Sequence, residues 1–360
     1  MTSHRKALFS GILAILVSGD ALMSTGSAAP IPDSEAALAA SMAQHLEQAR
    51  VAAGRDFVGA ANMFCLNARY GGDVIGDFWA GRRMTDADAD FEPIEVFDGV
   101  FYVGLREIGA YAIKTSAGVI LIDALPTGQV RRFLVPHLKK VGIDPRDVKY
   151  VVVTHGHADH YGGAAYFQGN GATVFMTAPD WDLLDKQAGE SSPPRRDVAV
   201  KDGDVIRLGD TALRVVFTPG HTPGALSLLM SVKDHGAPHT AMLFGGAGWG
   251  LAAMPMPMRP IYSASLEHME EVARANKVDV LMEGHPFLSN TLLRMAQVRE
   301  RAAGAPHPLV IGEEGYLRWL DVVKECHAAS TDRYRALTAA YGDDARKWPR
   351  LPAWRSNAPE

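Results

Sequence analysis

From residue 95 onward the apolar positions fall into short β-branched runs, 95–97, 100–103, 110–114 and 119–123, with turn residues Asp98-Gly99 and Ser116-Ala117-Gly118 among them. That pattern predicts an antiparallel meander. Val130, Phe133, Leu134, Leu138 and Val141 then repeat at helical spacing, with Thr127 as the expected N-cap, Gly142 as the stop and Pro136 placed to kink or divide the helix. An apolar strand at 150–153 follows. The same rhythm returns in a strand at 173–176, a helix from Asp180, a polar loop at 190–196, strands near 205–208, 212–218, 225–231 and 240–244, a helix at 265–276 and a strand at 278–282. Two runs of strands, each with covering helices, predict a four-layer α/β body with sheet packed on sheet and helices outside.

Outside this body, Leu38, Met42 and Leu46 at i, i+4, i+8 follow Asp33-Ser34-Glu35 and end at Gly54, which predicts a capped amphipathic helix. Residues 57–90 mix Gly, Ala, Asp and scattered aromatics with no readable period. Residues 292–341 read as helical, and the charged, Pro-rich end after Lys347 is expected to fray. The layout expected is a signal peptide at 1–29, an N-terminal extension packing on the core at 30–95, a body carrying the site at 96–290 and a C-terminal helical segment at 291–360.

Composition refines this. A chain of 360 residues, 47% hydrophobic and 21% charged, reads as a globular enzyme. A formal net charge of −5 leaves no basic footprint, so nucleic acid is not the expected partner and a small-molecule substrate is. His4, Arg5 and Lys6 before the apolar run 7–17, with Ser27-Ala28-Ala29 before Pro30, have the form of a secretory signal. The run is short for a membrane span. The expected location is therefore periplasmic or secreted, without stable membrane association after cleavage, an uncleaved anchor being the alternative. Cys65 and Cys326 sit in no C-x-x-C spacing; in an exported chain they could form one disulfide between the N-terminal segment and the C-terminal helix, or remain two unrelated buried thiols. The oligomeric state is not legible.

The strand at 150–153 leads into the densest chemistry. Thr154-His155-Gly156-His157-Ala158-Asp159-His160-Tyr161-Gly162-Gly163 sets three imidazoles and one carboxylate in six residues at a strand end. Zinc takes nitrogen and carboxylate oxygen at about 2.0–2.2 Å, and a tight turn can aim several such groups at one point; a solvated polar loop is the bland alternative. Three further positions leave strands in the same manner: His221 within Thr218-Pro219-Gly220-His221-Thr222-Pro223-Gly224, His285 within Glu283-Gly284-His285-Pro286, and Asp123 after the run 119–122. A carboxylate at Asp123 could hold a ligand imidazole by its other nitrogen. No G-x-S-x-G elbow accompanies these histidines, so a serine nucleophile is disfavoured.

On these residues the chain, from about 96 to 287, resembles the metallo-β-lactamase superfamily and, within it, the subclass-three class B enzymes. The resemblance implies an αββα sandwich with zinc at the sheet edges. It implies two Zn2+ per chain, one on His155, His157 and His221 and the other on Asp159, His160 and His285, with Asp123 behind a ligand. It further implies hydrolysis of an amide or cyclic acyl bond, in which zinc lowers the pKa of a shared water toward ~7 and Asp159 orients the metal-bound hydroxide.

Two departures bear on substrate. Lactonases and glyoxalase-type hydrolases of the superfamily place a bridging aspartate after the strand that follows the third histidine, whereas 241–244 runs into Gly245-Gly246-Ala247-Gly248-Trp249. Class B β-lactamases also lack that aspartate, which makes β-lactam hydrolysis the expected reaction. Subclass-three enzymes, however, are expected to anchor the substrate carboxylate with serines there. A substrate loop of Gly246, Ala247, Gly248 and Trp249 has none, which favours the alternative of another amide, lactone or ester. Met254-Pro255-Met256-Pro257-Met258 reads either as an adaptable apolar wall over the site or as ordinary surface packing. An iron-containing redox module of the same architecture is disfavoured, since no C-x-x-C pair or flavin-binding pattern follows residue 287.

Overall fold

The computed structural model describes residues 35–70, 86–186, 193–247 and 254–342. The signal-peptide expectation, the helix entry at Asp33-Ser34, part of the loop at 190–196, Gly248, Trp249 and the end after Lys347 lie outside them. The meander forms as β1 (Ile94–Phe97), β2 (Val100–Tyr102), β3 (Tyr111–Thr115) and β4 (Gly118–Ile122), each antiparallel to the next. Gly99 and Gly118 take φ of 72° and 127°, the left-handed region that the tight turns require. β5 (Val148–Val152), β6 (Thr173–Thr177) and β7 (Val198–Val200) continue in parallel and complete a seven-stranded sheet. β7 was not expected; Val198-Ala199-Val200 is too short to display an alternation.

The second sheet has five strands in the order β12-β11-β10-β9-β8. β8 (Val205–Leu208), β9 (Thr211–Phe217), β10 (Leu226–Asp234) and β11 (Ala237–Phe244) pair antiparallel, and β12 (Val280–Glu283) joins β11 in parallel. Alternation along the strands builds three apolar layers. Ile120, Ile122 and Val152 pack between the sheets with Leu213, Val215, Leu228 and Leu243. Leu121, Val151 and Val153 face the other way, onto Leu134, Leu138, Phe167 and Trp181. Met242 and Phe244 face Tyr262, Leu266 and Trp319. The result is the αββα sandwich.

The helices before the second sheet are α1 (Glu35–Ala53), α2 (Val58–Phe64), α3 (Leu66–Tyr70), α4 (Asp86–Ala89), α5 (Thr127–Gln129), α6 (Val135–Lys140), α7 (Ala158–Tyr161), α8 (Ala164–Gly169) and α9 (Ala178–Lys186). After β11 come α10 (Met258–Asn276), α11 (Thr291–Glu300) and α12 (Gly312–Tyr341). Pro136 does divide its helix: a π-helical stretch, Val130–Leu134, separates α5 from α6, since proline has no N–H to continue the α-helical ladder. Thr127 is not the N-cap. Pro126 holds that position, and the Thr127 hydroxyl instead donates to Gly162 O at 2.8 Å, tying this helix to the histidine turn. α10 starts at Met258 rather than at 265, its Pro260 lying within the first turn, where a missing N–H costs no helical bond. Cys65, between α2 and α3, is disulfide-bonded to Cys326 of α12, so the two cysteines are one bridge. Beside it Ala49, Ala53, Phe57, Ala60 and Phe64 pack with Trp319, Val322 and Val323, which seats the described start, 57–64, of the segment that had no readable period.

Candidate metal centre

Four chain segments leave the strands along one edge of the sandwich. After β4, Asp123 turns into the left-handed region (φ 57°), a conformation aspartate tolerates better than most residues. Its carboxylate accepts the Thr154 N–H and hydroxyl, each at 2.8 Å, and the Nδ1–H of His160 at 2.8 Å. One side chain thus fixes both the entry to the histidine turn and the ring orientation of His160, whose Nε2 is left facing inward. His221 follows Gly220, where the φ of 136° and the close approach of Tyr262, whose Cβ would lie 2.6 Å from an added Cβ, both require glycine. Past β12, His285 donates from Nδ1 to Glu107 O at 2.7 Å, which turns its Nε2 toward His160 and Asp159.

The structure brings all six sequence-predicted side chains together. His155, His157 and His221 stand with ring centroids 4.9, 4.6 and 4.6 Å apart and with ligating nitrogens within 4.8 Å of one another. His160 Nε2 lies 3.1 Å from His285 Nε2 and 3.4 Å from Asp159 Oδ2, and His285 Nε2 is 3.7 Å from that same oxygen. His155 is less exclusive than expected. Its ring is 4.0 Å from that of His160, and it also forms a ligand-sized group with Asp159 and His160.

Burial sets the protonation of the first three rings. His155 and His221 are pushed well below the ordinary imidazole range by burial, with the neighbouring rings adding to it, and His157 is lowered chiefly by burial. These are neutral imidazoles with lone pairs to offer. In the other group burial also opposes charge on His160, but Asp159 and Asp123 outweigh it and push the ring up to about 10. His285 is pushed down to about 4 by burial and by His160. Burial would raise the Asp159 carboxyl, yet His160, His285 and His157 hold it well below its ordinary value. Two imidazole Nε2 atoms at 3.1 Å cannot both present lone pairs to each other, so a proton or a cation belongs between them. The buried His155 Nε2 has no hydrogen-bond partner, the mark of an atom built for an ion. A nitrogen-rich set with one carboxylate suits zinc, so these residues fit the metal.

Beyond the expected residues, two buried carboxylates serve the loops. Asp180 reaches both the His155–His157 turn and the His221 loop, and Glu283 spans the neck of the His285 loop. Neither role shows in the sequence, because the donors that each carboxylate accepts from are brought to it only by the closed loops. Of the substrate loop, Gly246 and Ala247 are described, Ala247 buried and Gly246 O accepting the Tyr262 hydroxyl at 3.3 Å. Met254 and Met258 join the outer apolar layer, which is ordinary packing for those two.

Residues 104–234 match the family model of the metallo-β-lactamase superfamily. The solved structure of BJP-1, a subclass B3 metallo-β-lactamase of Bradyrhizobium japonicum, is 31% identical and superposes with a TM-score of 0.58, over 70% of this chain and 97% of that one. The chain belongs to the metallo-β-lactamase superfamily. Other relatives are similar over shorter stretches: an N-acyl homoserine lactonase of a Bacillus species, 25% identical over 44% of this chain and 70% of its own length, and the N-acyl homoserine lactonase AttM of Rhizobium radiobacter, 34% identical over 28% and 42%. The chain spans about half the length of several of the curated relatives it matches. It is thus a hydrolase of a superfamily whose fold implies a divalent metal. No helix among the described residues is long and apolar enough to cross a membrane.

Proposed function

We propose that the protein is a zinc-dependent hydrolase that opens the β-lactam amide, with two Zn2+ per chain, one held by His155, His157 and His221 and the other by Asp159, His160 and His285. The observation that carries the metal reading is the convergence of six side chains able to bind a metal, among them His155, whose buried Nε2 has no hydrogen-bond partner. Bound there, zinc supplies Lewis acidity, polarising an acyl carbonyl and making water acidic enough to ionise near neutral pH. The chain's own part is positional. Asp159, ionised among three histidines, would orient the attacking water through Oδ2. Asp123 holds His160 by Nδ1, and Glu107 O holds His285 by Nδ1, so neither ring can turn its Nε2 away. Water adds across the C–N bond, leaving a carboxylate and an amine, and no protein nucleophile is needed.

What favours a β-lactam is the carboxylate-free run Gly245-Gly246-Ala247 after β11, together with the similarity to a subclass B3 enzyme along nearly its whole length. What favours a lactone or other acyl substrate is the absence of a hydroxyl on Gly246 or Ala247 and the similarity to the lactonases. We place the mature chain outside the cytoplasm, where β-lactam hydrolysis would give antibiotic resistance; the Cys65–Cys326 bridge supports an oxidising compartment. The test is turnover of a chromogenic cephalosporin, a carbapenem and an N-acyl homoserine lactone by zinc-loaded enzyme, with and without chelator. Chelator-sensitive cephalosporin turnover is expected. Lactone opening without any β-lactam turnover would overturn the β-lactam reading and leave the alternative.

A further inference from the structure

We propose that Asp180 is a positioning residue for the metal centre, locking the loop that carries His155 and His157 to the loop that carries His221. The inference rests on the reading of those histidines as metal ligands and adds a residue that touches none of their rings. Asp180 lies in the first turn of α9 with its side chain fully buried. Its Oδ2 accepts the Gly156 N–H at 2.7 Å and the Thr222 hydroxyl at 2.6 Å, and its Oδ1 accepts the Gly224 N–H at 2.7 Å. Gly156 stands between two of the histidines, and Thr222 directly follows the third.

The two loops come from different sheets, one after β5 and the other after β9. A backbone bond nearby, from Leu226 N–H to Thr154 O at 2.9 Å, joins the same segments before His155 and beyond His221. Asp180 adds three bonds at the ligand positions themselves. The surroundings are shaped for this contact. A Cβ on Gly224 would lie 2.1 Å from Thr177 Oγ1 and 2.7 Å from Asp180 Cγ, and one on Gly156 would meet Leu184 at 3.0 Å. Glycine at both positions lets the loop backbones close onto one carboxylate, and Thr177 Oγ1 completes the seat by donating to Gly224 O at 2.6 Å. All three rings still have their nitrogens without Asp180; their separation is what the carboxylate controls.

The experiment is zinc titration against a competing chelator, with Co2+ absorption spectra and thermal unfolding in parallel, on the full chain and on Asp180→Asn, Thr222→Val and Asp197→Asn. Asparagine matches the shape but turns an N–H2 toward one of the donors, so at least one loop loses its anchor. Supporting-residue changes of this kind lower metal affinity by about 10- to 100-fold. That loss is expected for one of the two ions in Asp180→Asn, with an altered Co2+ spectrum, and a smaller loss in Thr222→Val. Asp197, an exposed carboxylate that accepts the Val174 N–H at 3.0 Å and the Gln168 amide at 2.7 Å, lies at the opposite end of β6, so Asp197→Asn should lower stability slightly while leaving affinity and spectrum unchanged. Unchanged affinity and spectrum in a folded Asp180→Asn, or in Thr222→Val should the former not fold, would overturn the proposal. Failure of the unaltered chain to bind zinc would instead overturn the metal-centre reading beneath it.

Discussion

The two halves of the candidate metal centre are supported from opposite sides of the molecule. His155, His157 and His221 are neutral rings on two loops, and Asp180, from a helix covering the seven-stranded sheet, ties those loops together. His160 and His285 share a charged site with Asp159, and the His285 loop is held from the other side. Glu283 accepts the Ser289 and Thr291 hydroxyls at 2.8 and 2.7 Å across the loop's neck, and Trp319 of α12 donates to Ser289 Oγ at 2.8 Å. That line runs on to Cys326 on the same helix. The difference teaches that one half depends on its own domain's loops, whereas the other depends on a C-terminal helix pinned to the N-terminal segment.

The largest effect should come from cutting that pin. The Cys65–Cys326 bridge closes a sequence separation of 261 residues, and losing such a cross-link typically costs about 2–5 kcal/mol. Denaturant unfolding of Cys65→Ala/Cys326→Ala should show this loss, with weaker binding of one zinc ion and little change in the other. Equal weakening of both ions would break the comparison. Next in size is a change at the floor shared by the halves. A Cβ on Gly245 would lie 2.1 Å from Leu226 O and 2.5 Å from Thr154 Cβ, whereas one on Gly246 meets nothing closer than 3.4 Å. Gly245→Ala should cost about 1–3 kcal/mol through overpacking. Gly246→Ala should stay within about 0.5 kcal/mol, as at sites without such contacts. Similar melting temperatures for the two variants would contradict this.

The same contrast separates what was legible in the chain from what was not. The six ligand candidates could be read because each follows a β-branched run and carries a side chain with few bland uses at a strand end. Asp123 was readable for the same reason, as a carboxylate leaving β4. The supports were not. Asp180 matters through Gly224, far along the chain, and Glu283 through Thr291 on the other side of the His285 loop, and such pairings exist only once the loops are closed. The strands were legible where β-branched and aromatic residues ran unbroken beside a turn signal, as in the three residues of β2 after Asp98-Gly99. Legibility failed at β7, where Ala199 divides a run of three after a polar loop, and in α2 and α3, whose seven and five residues show too few turns to establish a period. Thr127 misled because a hydroxyl before an apolar helix ordinarily caps it, and tertiary structure gave this one to Gly162.

A smaller effect would sharpen the division from the other side. Glu283→Gln keeps the shape of the neck but leaves an amide N–H2 facing one of two hydroxyl donors. Binding of one zinc ion should weaken by about tenfold. Combined with Asp180→Asn, the two losses should add, because the carboxylates support different loops. Strong non-additivity in a double-mutant cycle, read by chelator competition, would show the halves to be one coupled unit.

The smallest effect tests the outer end of the same line. His45 of α1 bonds Glu325 of α12 at 2.6 Å, next to Cys326, and that bond raises the His45 pKa against a partial burial that lowers it. Because the folded value lies above the unfolded one, the pair's stabilisation is fully present below about pH 6.5 and is lost as pH rises through the folded pKa. For a partly exposed pair it amounts to roughly 0.5 kcal/mol. Stability measured from pH 6 to pH 9 should fall by that much more in the unaltered chain than in His45→Gln. With the disulfide intact the zinc affinities should not follow it, since the covalent pin holds α12 in place whether or not the ion pair is formed; affinities that tracked His45 would mean the bridge alone does not fix the helix.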